Sequence, residues 1–479
     1  MAVNNRPVLP GFFPDPSICR AGEDFYLVNS SFEYLPGVPV HHSRDLLRWE
    51  HIGNVLDRDD QLTLPSGKGG SGIYAPTIRH HGGFFWMVTT NISQFGKGHL
   101  IVHADDPAGP WSTPVHTDGA VGIDPDLAWD LDGTCYLTWK SMWPVPGIVQ
   151  AAIDPVTGTL LSEPRALWAG TGLAHPEGPH LHHREGWWYL VVAEGGTERG
   201  HAVSVARSRS ISGPFETHPA NPVLTHRSTD HPVQNTGHAD LVELPSGEWA
   251  AVHLGVRPRG FSPMFHVNGR ETFLVGVDWE DGWPVFAEDR YTAPEPDTGF
   301  EDDFGPSGLH PRWISPGAHP HGFTAPAGDG GVVITQHLLG VRARDDQWQA
   351  DALVEGDARL VLRLDDRHRM SVEAHGDSLV ARAVIGGLDD VLASMPLPRG
   401  PVRLCVRAVA APQGPDHTGG PDQVELGHLG PDGFHRLGDL DGRYLSTEVA
   451  GGFTGRVVGV EPLTDVAVLR HFRYSPTLS

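Results

Sequence analysis

One stretch near the start of the chain decides the fold, Asp15-Pro-Ser-Ile-Cys-Arg-Ala-Gly-Glu-Asp-Phe-Tyr-Leu. Its pattern recurs four more times along the chain. Each copy has a short run of alternating apolar residues, a polar turn that contains Gly, and an aromatic-rich run. Together these are the signature of a β-hairpin. The later copies begin at Ala75, Asp124, Glu177 and His238, and successive copies begin 49 to 61 residues apart. That spacing is typical of a four-stranded propeller blade, so the five copies predict five blades.

Residues at equivalent places in the copies should lie close together, because the first strand of each propeller blade lines the central channel. Three acidic residues and one histidine are placed in this way: Asp15, Asp124, Glu177 and His238. Glu177 aligns one residue out of step when Pro179 is matched to Pro16. The repeats therefore predict a cluster of carboxyl groups at the centre of the ring.

Two domains are predicted from the change in pattern along the 479 residues. Residues 1–292 hold the repeats and are predicted to form the propeller. Residues 293–299, Ala-Pro-Glu-Pro-Asp-Thr-Gly, are predicted to be a linker, since they are rich in Pro and lack an apolar period. Residues 300–479 contain alternating runs such as Ala358-Arg-Leu-Val-Leu-Arg-Leu, separated by Gly- and Asp-rich turns. The fold class is therefore all-β, a five-bladed propeller followed by a β-sandwich.

Composition limits the kind of partner. Lys and Arg total 35 against 59 Asp and Glu, a formal charge of −24, which argues against nucleic acid or an anionic membrane surface as partner. The three cysteines are far apart and give neither a disulfide framework nor a metal-binding spacing. The first residues do not resemble a signal peptide, and no apolar run is long enough to cross a membrane. The sequence thus predicts a cytoplasmic protein, and it leaves open whether the chain forms a homo-oligomer.

Carboxyl groups that face each other across a channel are what glycoside hydrolysis requires. One must be protonated to donate to the leaving oxygen, and the other must be ionised to activate water or to attack the sugar. A third carboxylate near the acid favours its protonated form, because like charges disfavour ionisation. The plainer interpretation is that Asp-Pro and Glu-Gly-Pro are turns at strand entry, where Asp and Pro are common. Three acids in the same motif favour the catalytic interpretation.

The motifs resemble those of glycoside hydrolase family 43, in the same order along the chain. The matching elements are Asn5-Arg-Pro-Val-Leu-Pro-Gly-Phe-Phe-Pro-Asp-Pro-Ser, Tyr74-Ala-Pro-Thr-Ile-Arg, Asp124-Pro-Asp-Leu, Glu177-Gly-Pro-His-Leu, Ala193-Glu-Gly-Gly-Thr, Thr236-Gly-His-Ala-Asp and Gly269-Arg-Glu-Thr-Phe-Leu. The part after Phe300-Glu-Asp-Asp-Phe resembles the lectin-type, concanavalin A-like sandwich of the β-xylosidase and α-L-arabinofuranosidase branch.

This resemblance implies an inverting, exo-acting enzyme that releases terminal β-D-xylosyl or α-L-arabinofuranosyl residues from hemicellulose oligosaccharides. It implies that Asp15 is the general base, Glu177 the general acid, and Asp124 the residue that tunes and holds Glu177. It also assigns the function to Glu177 rather than to Gly178. Inversion predicts that the Asp15 and Glu177 carboxyls stand about 6.5–9.5 Å apart, which leaves room for water.

The resemblance further implies that Arg270 contacts the hydroxyls of the terminal sugar and that Phe32 and Tyr74 wall the sugar pocket. Taken alone, Phe32 and Tyr74 are nearly as consistent with blade core. His238 matches a histidine that ligates a structural calcium ion in several relatives, although a lone His is a poor calcium site. No cofactor is expected to be required for the chemistry.

Two other functions compete with this one. A retaining fructan-type propeller hydrolase also uses two Asp and a Glu, but it would need a Trp-Met-Asn-Asp-Pro-like element, whereas Gly-Phe-Phe-Pro precedes Asp15. A non-catalytic sugar-binding propeller has no need of three channel carboxylates. Variants of Asp15 and Glu177 that keep binding and lose hydrolysis separate an enzyme from a lectin.

Overall fold

The fold was analysed in a computed structural model, which describes residues 6–65, 69–142, 147–305, 308–398, 401–412 and 419–476. Strands dominate these residues. The helices found there are short, and they are Ile92–Lys97, Pro320–Gly322, Gly442–Leu445 and Thr447–Ala450. None of the helices in these ranges is long and apolar enough to cross a membrane.

Five antiparallel sheets follow one another along the first part of the chain, as the five repeats predict. Blade 1 consists of Ser17–Ala21, Asp24–Val28, Gly37–Ser43 and Glu50–Leu56. Blade 2 consists of Thr77–His81, Phe84–Thr89, Leu100–Ala104 and Val115–His116. Blade 3 consists of Gly122–Trp129, Cys135–Ser141 and Gly147–Asp154, with Thr159–Leu160 and Arg165–Trp168 both paired to the third strand. Blade 4 consists of Glu177–Arg184, Trp187–Glu194, Ala202–Ser208 and Glu216–Thr217. Blade 5 consists of Gln234–Glu243, Trp249–Val256, Glu271–Glu280 and Trp283–Ala287.

The first two strands of each blade are the hairpin of one sequence repeat, and the first is called the inner strand below. In blade 1 the hairpin turns at Gly22, whose φ of 64° lies in the left-handed region that glycine adopts without a steric penalty. The ring closes where the N-terminal segment meets blade 5, since the backbone N–H groups of Val8 and Leu9 both donate to Thr272 O, at 2.9 and 3.2 Å.

A buried polar network joins all five blades in the channel. Arg79 of blade 2 donates to Asp126 of blade 3 at 2.6 Å and to Asp240 of blade 5 at 2.8 Å. The His180 ring of blade 4 lies 3.0 Å from the same guanidinium, and Ser17 of blade 1 donates to Asp240 at 2.7 Å. Burial favours a neutral Asp240, but the charge of Arg79 outweighs it and holds the pKa of Asp240 well below its usual value. Arg79 and Asp240 therefore stay ionised, and the network around them fixes the inner strands relative to one another.

The last part of the chain forms two packed antiparallel sheets, as the alternating runs predict. One sheet contains Phe300–Asp302, Thr324–Pro326, Val332–Thr335, Trp348–Glu355, Val402–Val409, Gln423–Gly430, Gly433–Asp441 and Val466–Pro476. The other contains Leu339–Arg342, Ala358–Asp365, His368–His375, Ser378–Ile385, Leu388–Pro396 and Val457–Pro462. Their facing side chains form one core that includes Trp348, Phe472 and Tyr474. The predicted linker, residues 293–299, lies between the last propeller strand and the first sandwich strand.

The sandwich packs against blade 1 through backbone pairing and buried arginines. Its short strand Ser315–Pro316 pairs with Tyr34–Leu35 of the propeller. Arg342 donates to Phe12 O at 3.0 Å, and Arg363 donates to the Tyr34 hydroxyl at 3.1 Å. Side chains from both parts form a shared apolar cluster, made of Phe12, Phe32, Tyr34, Ile314, Leu338, Val361 and Val457. The sandwich is thereby held next to the channel entrance of blade 1.

Candidate active site

Asp15 is buried at the start of blade 1 between a cation and a hydroxyl. Arg270 Nη1 donates to Asp15 Oδ1 at 2.8 Å, and Ser30 Oγ donates to Asp15 Oδ2 at 2.5 Å. Burial alone favours the neutral acid, but the charge of Arg270 and the hydrogen bond from Ser30 outweigh it, so the pKa of Asp15 lies below its usual value. Asp15 is therefore an ionised carboxylate at neutral pH.

The channel ends of four blades share an uncommon backbone conformation. Asp15, Asp124, Gly178 and His238 have φ values of 51°, 54°, 56° and 51°. Left-handed backbone is rare for residues other than glycine, and at functional sites it is held by the surrounding structure. The shared conformation makes Gly178, not Glu177, the structural equivalent of Asp15. This explains the offset of one residue in the repeat alignment.

Gly178 leaves no room for a side chain of its own. A Cβ atom built there meets the His238 ring at 2.8 Å, closer than packed atoms come. An acidic residue cannot occupy this position, so the acid of blade 4 stands one residue earlier, at Glu177. The pairing of the inner strand with its neighbour shifts register between Glu177 and His180, which allows the offset.

Asp124 is buried beside Glu177. It accepts a hydrogen bond from the Gly178 N–H at 3.2 Å. Burial, followed by the charges of Glu177 and Asp15, raises the pKa of Asp124 well above its usual value, although Lys140 acts in the opposite direction.

Glu177 is held by a lysine that the repeat motif did not single out. Lys140 Nζ lies 2.7 Å from Glu177 Oε2, and the two side chains are 14% and 17% exposed. Lys140 comes from the second strand of blade 3, Cys135–Ser141, which is otherwise largely buried. A charged residue within such a strand was the only sequence feature that marks Lys140. It does not reveal that Glu177 is the partner.

Arg270 lies beneath aromatic rings from both parts of the chain. Its guanidinium carbon is 5.6 Å from the centre of the Phe32 ring and 5.5 Å from that of Phe453. Phe453 belongs to the sandwich, and its ring stacks on Phe32 with centres 5.7 Å apart. Tyr74 packs edge-on against Phe32 at 5.5 Å. The structure thus brings together Arg270, Phe32 and Tyr74, and it adds Phe453, which sequence reasoning did not identify.

His238 lies next to Asp15, with Nδ1 3.7 Å from Asp15 Oδ1. Burial lowers the pKa of His238 to about 4, so its imidazole is neutral at pH 7. Calcium takes six to eight oxygen ligands. Among the described residues, the close group of three metal-ligating side chains does not include His238. Calcium binding at His238 therefore stays a prediction.

The propeller is similar in sequence to a known protein family. The model of the glycosyl hydrolases family 43 matches residues 4–284. The chain belongs to this family. The enzyme class that membership indicates is that of the glycosidases, which hydrolyse glycosidic bonds.

Two relatives and one solved structure illustrate the similarity. The chain is 49% identical over 301 residues to a xylosidase/arabinosidase of Butyrivibrio fibrisolvens, covering 60% of this chain and 56% of that protein. It is 35% identical over 494 residues to the non-reducing end α-L-arabinofuranosidase BoGH43B of Bacteroides ovatus, covering 95% of this chain and 90% of that protein. The solved structure of a Bacteroides ovatus xyloglucan-locus GH43B matches with a TM-score of 0.90 at 32% identity, covering 99% of this chain and all of that one. The five-bladed propeller with a β-sandwich is thus the architecture of the family 43 structures that this chain matches.

Proposed function

We propose that this family 43 protein is an exo-acting, inverting glycosidase that releases terminal β-D-xylosyl or α-L-arabinofuranosyl residues from plant hemicellulose oligosaccharides. The observation that carries the proposal is that the surroundings of Asp15 and of Asp124 shift the pKa values of these two carboxyl groups in opposite directions. Asp15 is stabilised as a carboxylate, whereas Asp124 beside Glu177 is driven toward the neutral acid. A glycosidase needs an ionised base and a protonated acid, and in this proposal the proton favoured on Asp124 reaches the leaving oxygen through Glu177.

Asp15 is the general base in this proposal. Arg270 and Ser30 keep it ionised, so it can orient a water molecule and accept its proton as that water attacks the anomeric carbon. The same Arg270 contact ties the base to the sugar-facing aromatic residues. Base and sugar are therefore positioned by one side chain.

Glu177 is the general acid, and Asp124 and Lys140 set its protonation before and after the reaction. Before cleavage, burial and the charge of Glu177 raise the pKa of Asp124, so Asp124 holds a proton next to Glu177. Glu177 is the more exposed of the two and passes that proton to the leaving oxygen. After the transfer, Lys140 stabilises the carboxylate that remains.

The terminal sugar packs against the aromatic wall of Phe32, Tyr74 and Phe453. A wall shared between the propeller and the sandwich closes one side of the channel entrance, which favours chain ends over internal positions. The names of the relatives, xylosidase/arabinosidase and α-L-arabinofuranosidase, support a pentose as the terminal sugar.

Three amide variants test these roles, measured with 4-nitrophenyl β-D-xylopyranoside, 4-nitrophenyl α-L-arabinofuranoside and β-1,4-xylobiose. Asp15→Asn should lose activity on all substrates. Glu177→Gln should lose most activity on xylobiose and less on the nitrophenyl glycosides, because nitrophenolate leaves without a proton. The loss of activity in Asp124→Asn should lie between the losses in Asp15→Asn and Glu177→Gln. Parent-like activity in Asp15→Asn or Glu177→Gln would show that the roles are assigned to the wrong residues.

A further inference from the structure

Two histidines and a glutamate come together at the edge of blade 5, in a group that the reaction does not use. His226 and His231 lie in the loop that leads into the inner strand Gln234–Glu243, and Glu288 follows the outer strand Trp283–Ala287. One ligand atom of each residue lies within 4.8 Å of the others. We propose that these three residues bind a divalent transition metal ion, and that zinc is the ion preferred.

Hydrogen bonding orients His226 as a metal ligand. Its Nδ1 lies 2.8 Å from the carbonyl oxygen of Val233 and 2.9 Å from the Thr236 hydroxyl, which can accept as well as donate. A carbonyl only accepts, so Nδ1 carries the proton and Nε2 is left with its lone pair. A backbone carbonyl on one ring nitrogen is the usual support for a histidine that ligates metal through the other nitrogen.

His231 is held by the backbone of the same residue, Val233. Its Nδ1 lies 3.0 Å from Val233 O and accepts from the Val233 N–H at 3.1 Å. The imidazole rings of His226 and His231 face each other with centres 3.7 Å apart and planes tilted by 33°. Two positively charged rings this close would repel each other. A metal ion at the two Nε2 atoms keeps both rings neutral and places one cation between them and the glutamate.

The approach of Glu288 also calls for a cation. His226 Nε2 lies 2.6 Å from Glu288 Oε2. With Nδ1 as the donor, both of these atoms are acceptors, and a positive species between them is needed, either a second proton on His226 or a metal ion. Tetrahedral zinc with bonds of about 2.0–2.1 Å separates two ligand atoms by roughly 3.3 Å. A movement of less than about 1 Å by the half-exposed Glu288 side chain provides that spacing.

The donor set selects the kind of metal. Two imidazole nitrogens and one carboxylate oxygen suit zinc and its neighbours among the transition metals, whereas calcium and magnesium prefer oxygen alone. Three protein ligands leave one tetrahedral position for water. The 44% exposure of the Glu288 side chain leaves the group open to solvent, which gives the ion a route in.

A metal ion here would fasten the loop to the blade. The loop is already anchored by Gln234, whose Nε2 donates to His231 O at 2.8 Å. Through zinc, the same loop would also be tied to the chain segment that leaves the propeller at Glu288. The expected role is structural, and the inner strand that it secures is the one that carries His238.

The test is zinc binding to the chelator-treated full-length protein. Binding is measured by titration calorimetry and by metal analysis after gel filtration. We expect one zinc ion per chain and a zinc-dependent rise in melting temperature, since a ligand that binds only the folded state stabilises it. Cobalt in place of zinc should give the intense visible bands of a four-coordinate ion. The variants His231→Asn and Glu288→Gln are half-exposed or exposed and should fold, and each should weaken zinc binding by more than about tenfold.

The matched control is His375→Asn, which removes a 62% exposed histidine of the sandwich and should bind zinc like the parent. Circular dichroism and melting of the metal-free variants check that they are folded. The proposal is overturned if the parent takes up no stoichiometric zinc, or if His231→Asn and Glu288→Gln bind as tightly as the parent. Activity is not the readout, so the result is independent of the proposed catalytic roles.

Discussion

Lys140 Nζ contacts Glu177 Oε2 at 2.7 Å and joins blade 3 to the acid of blade 4. A cation beside a general acid has two opposing effects. It disfavours the protonated form that begins the reaction, and it stabilises the carboxylate that the reaction leaves behind. Asp124 compensates for the first effect, because its own charge becomes unfavourable when Glu177 is ionised.

We expect Lys140→Met to lower kcat by about 10- to 100-fold, a part of what a general acid contributes. With the cation removed, the alkaline limb of the kcat/KM profile should move to higher pH, since the ionised form of the pair is less favoured. Lys140→Arg retains the charge and should keep the limb near its original position. An unchanged kcat and pH profile in Lys140→Met would show that the ion pair has no part in catalysis.

Removing Arg270 should instead change the acidic limb of the pH profile of kcat/KM. Asp15 must be ionised to act as a base, so activity is lost as pH falls through its pKa. Arg270 is a main cause that lowers this pKa, and its loss should raise it. We therefore expect the acidic limb of Arg270→Ala to move to higher pH, together with a large rise in KM. Arg270→Lys keeps a charge and serves as the control, with a smaller move of the limb but a similar loss of sugar affinity.

Phe453 tests whether the sandwich takes part in substrate binding. Its ring stacks on Phe32 and lies over Arg270. Phe453→Ala should raise KM by roughly fivefold, about the 1 kcal/mol that an aromatic contact contributes, while kcat changes little. Phe434 is a half-buried aromatic in the sandwich that stacks with Arg407, so Phe434→Ala is the matched control. Equal KM values for the two variants would contradict a role for Phe453 at the site.

Gly178→Ala should be more harmful than its size suggests. The position has a φ of 56°, and the added methyl group meets the His238 ring at 2.8 Å. We expect about 1–3 kcal/mol lower stability from the strained backbone, with loss of activity from displaced Glu177 and His238. Gly22→Ala has a similar φ of 64° but open space around the new atom, so it should show the backbone cost without the loss of activity. Denaturant unfolding and kinetics compare the two.

The features predictable from sequence were those encoded locally. Each blade begins with a hairpin whose Gly turn and aromatic strand recur, so the fold class and the convergence of Asp15 and Asp124 followed from the repeats. The offset of Glu177 did not, since it depends on the close packing of His238 over Gly178 from another blade.

Long-range contacts account for the other residues that were missed. Lys140 lies in a blade strand with no motif of its own, and its partner is on the next blade. Phe453 lies near the end of the sandwich and reaches the channel only because the two parts of the chain pack together. His226 and His231 meet Glu288 through tertiary structure, so no local spacing in the sequence indicates this group.

The most direct test of the central claim is the anomeric configuration of the first sugar released. It is measured by ¹H NMR during hydrolysis of β-1,4-xylobiose or of a nitrophenyl β-D-xyloside. With Asp15 as the base for water and Glu177 as the acid, the first product should be α-xylose, which then mutarotates. First release of β-xylose would mean retention, and it would contradict the roles given to Asp15 and Glu177.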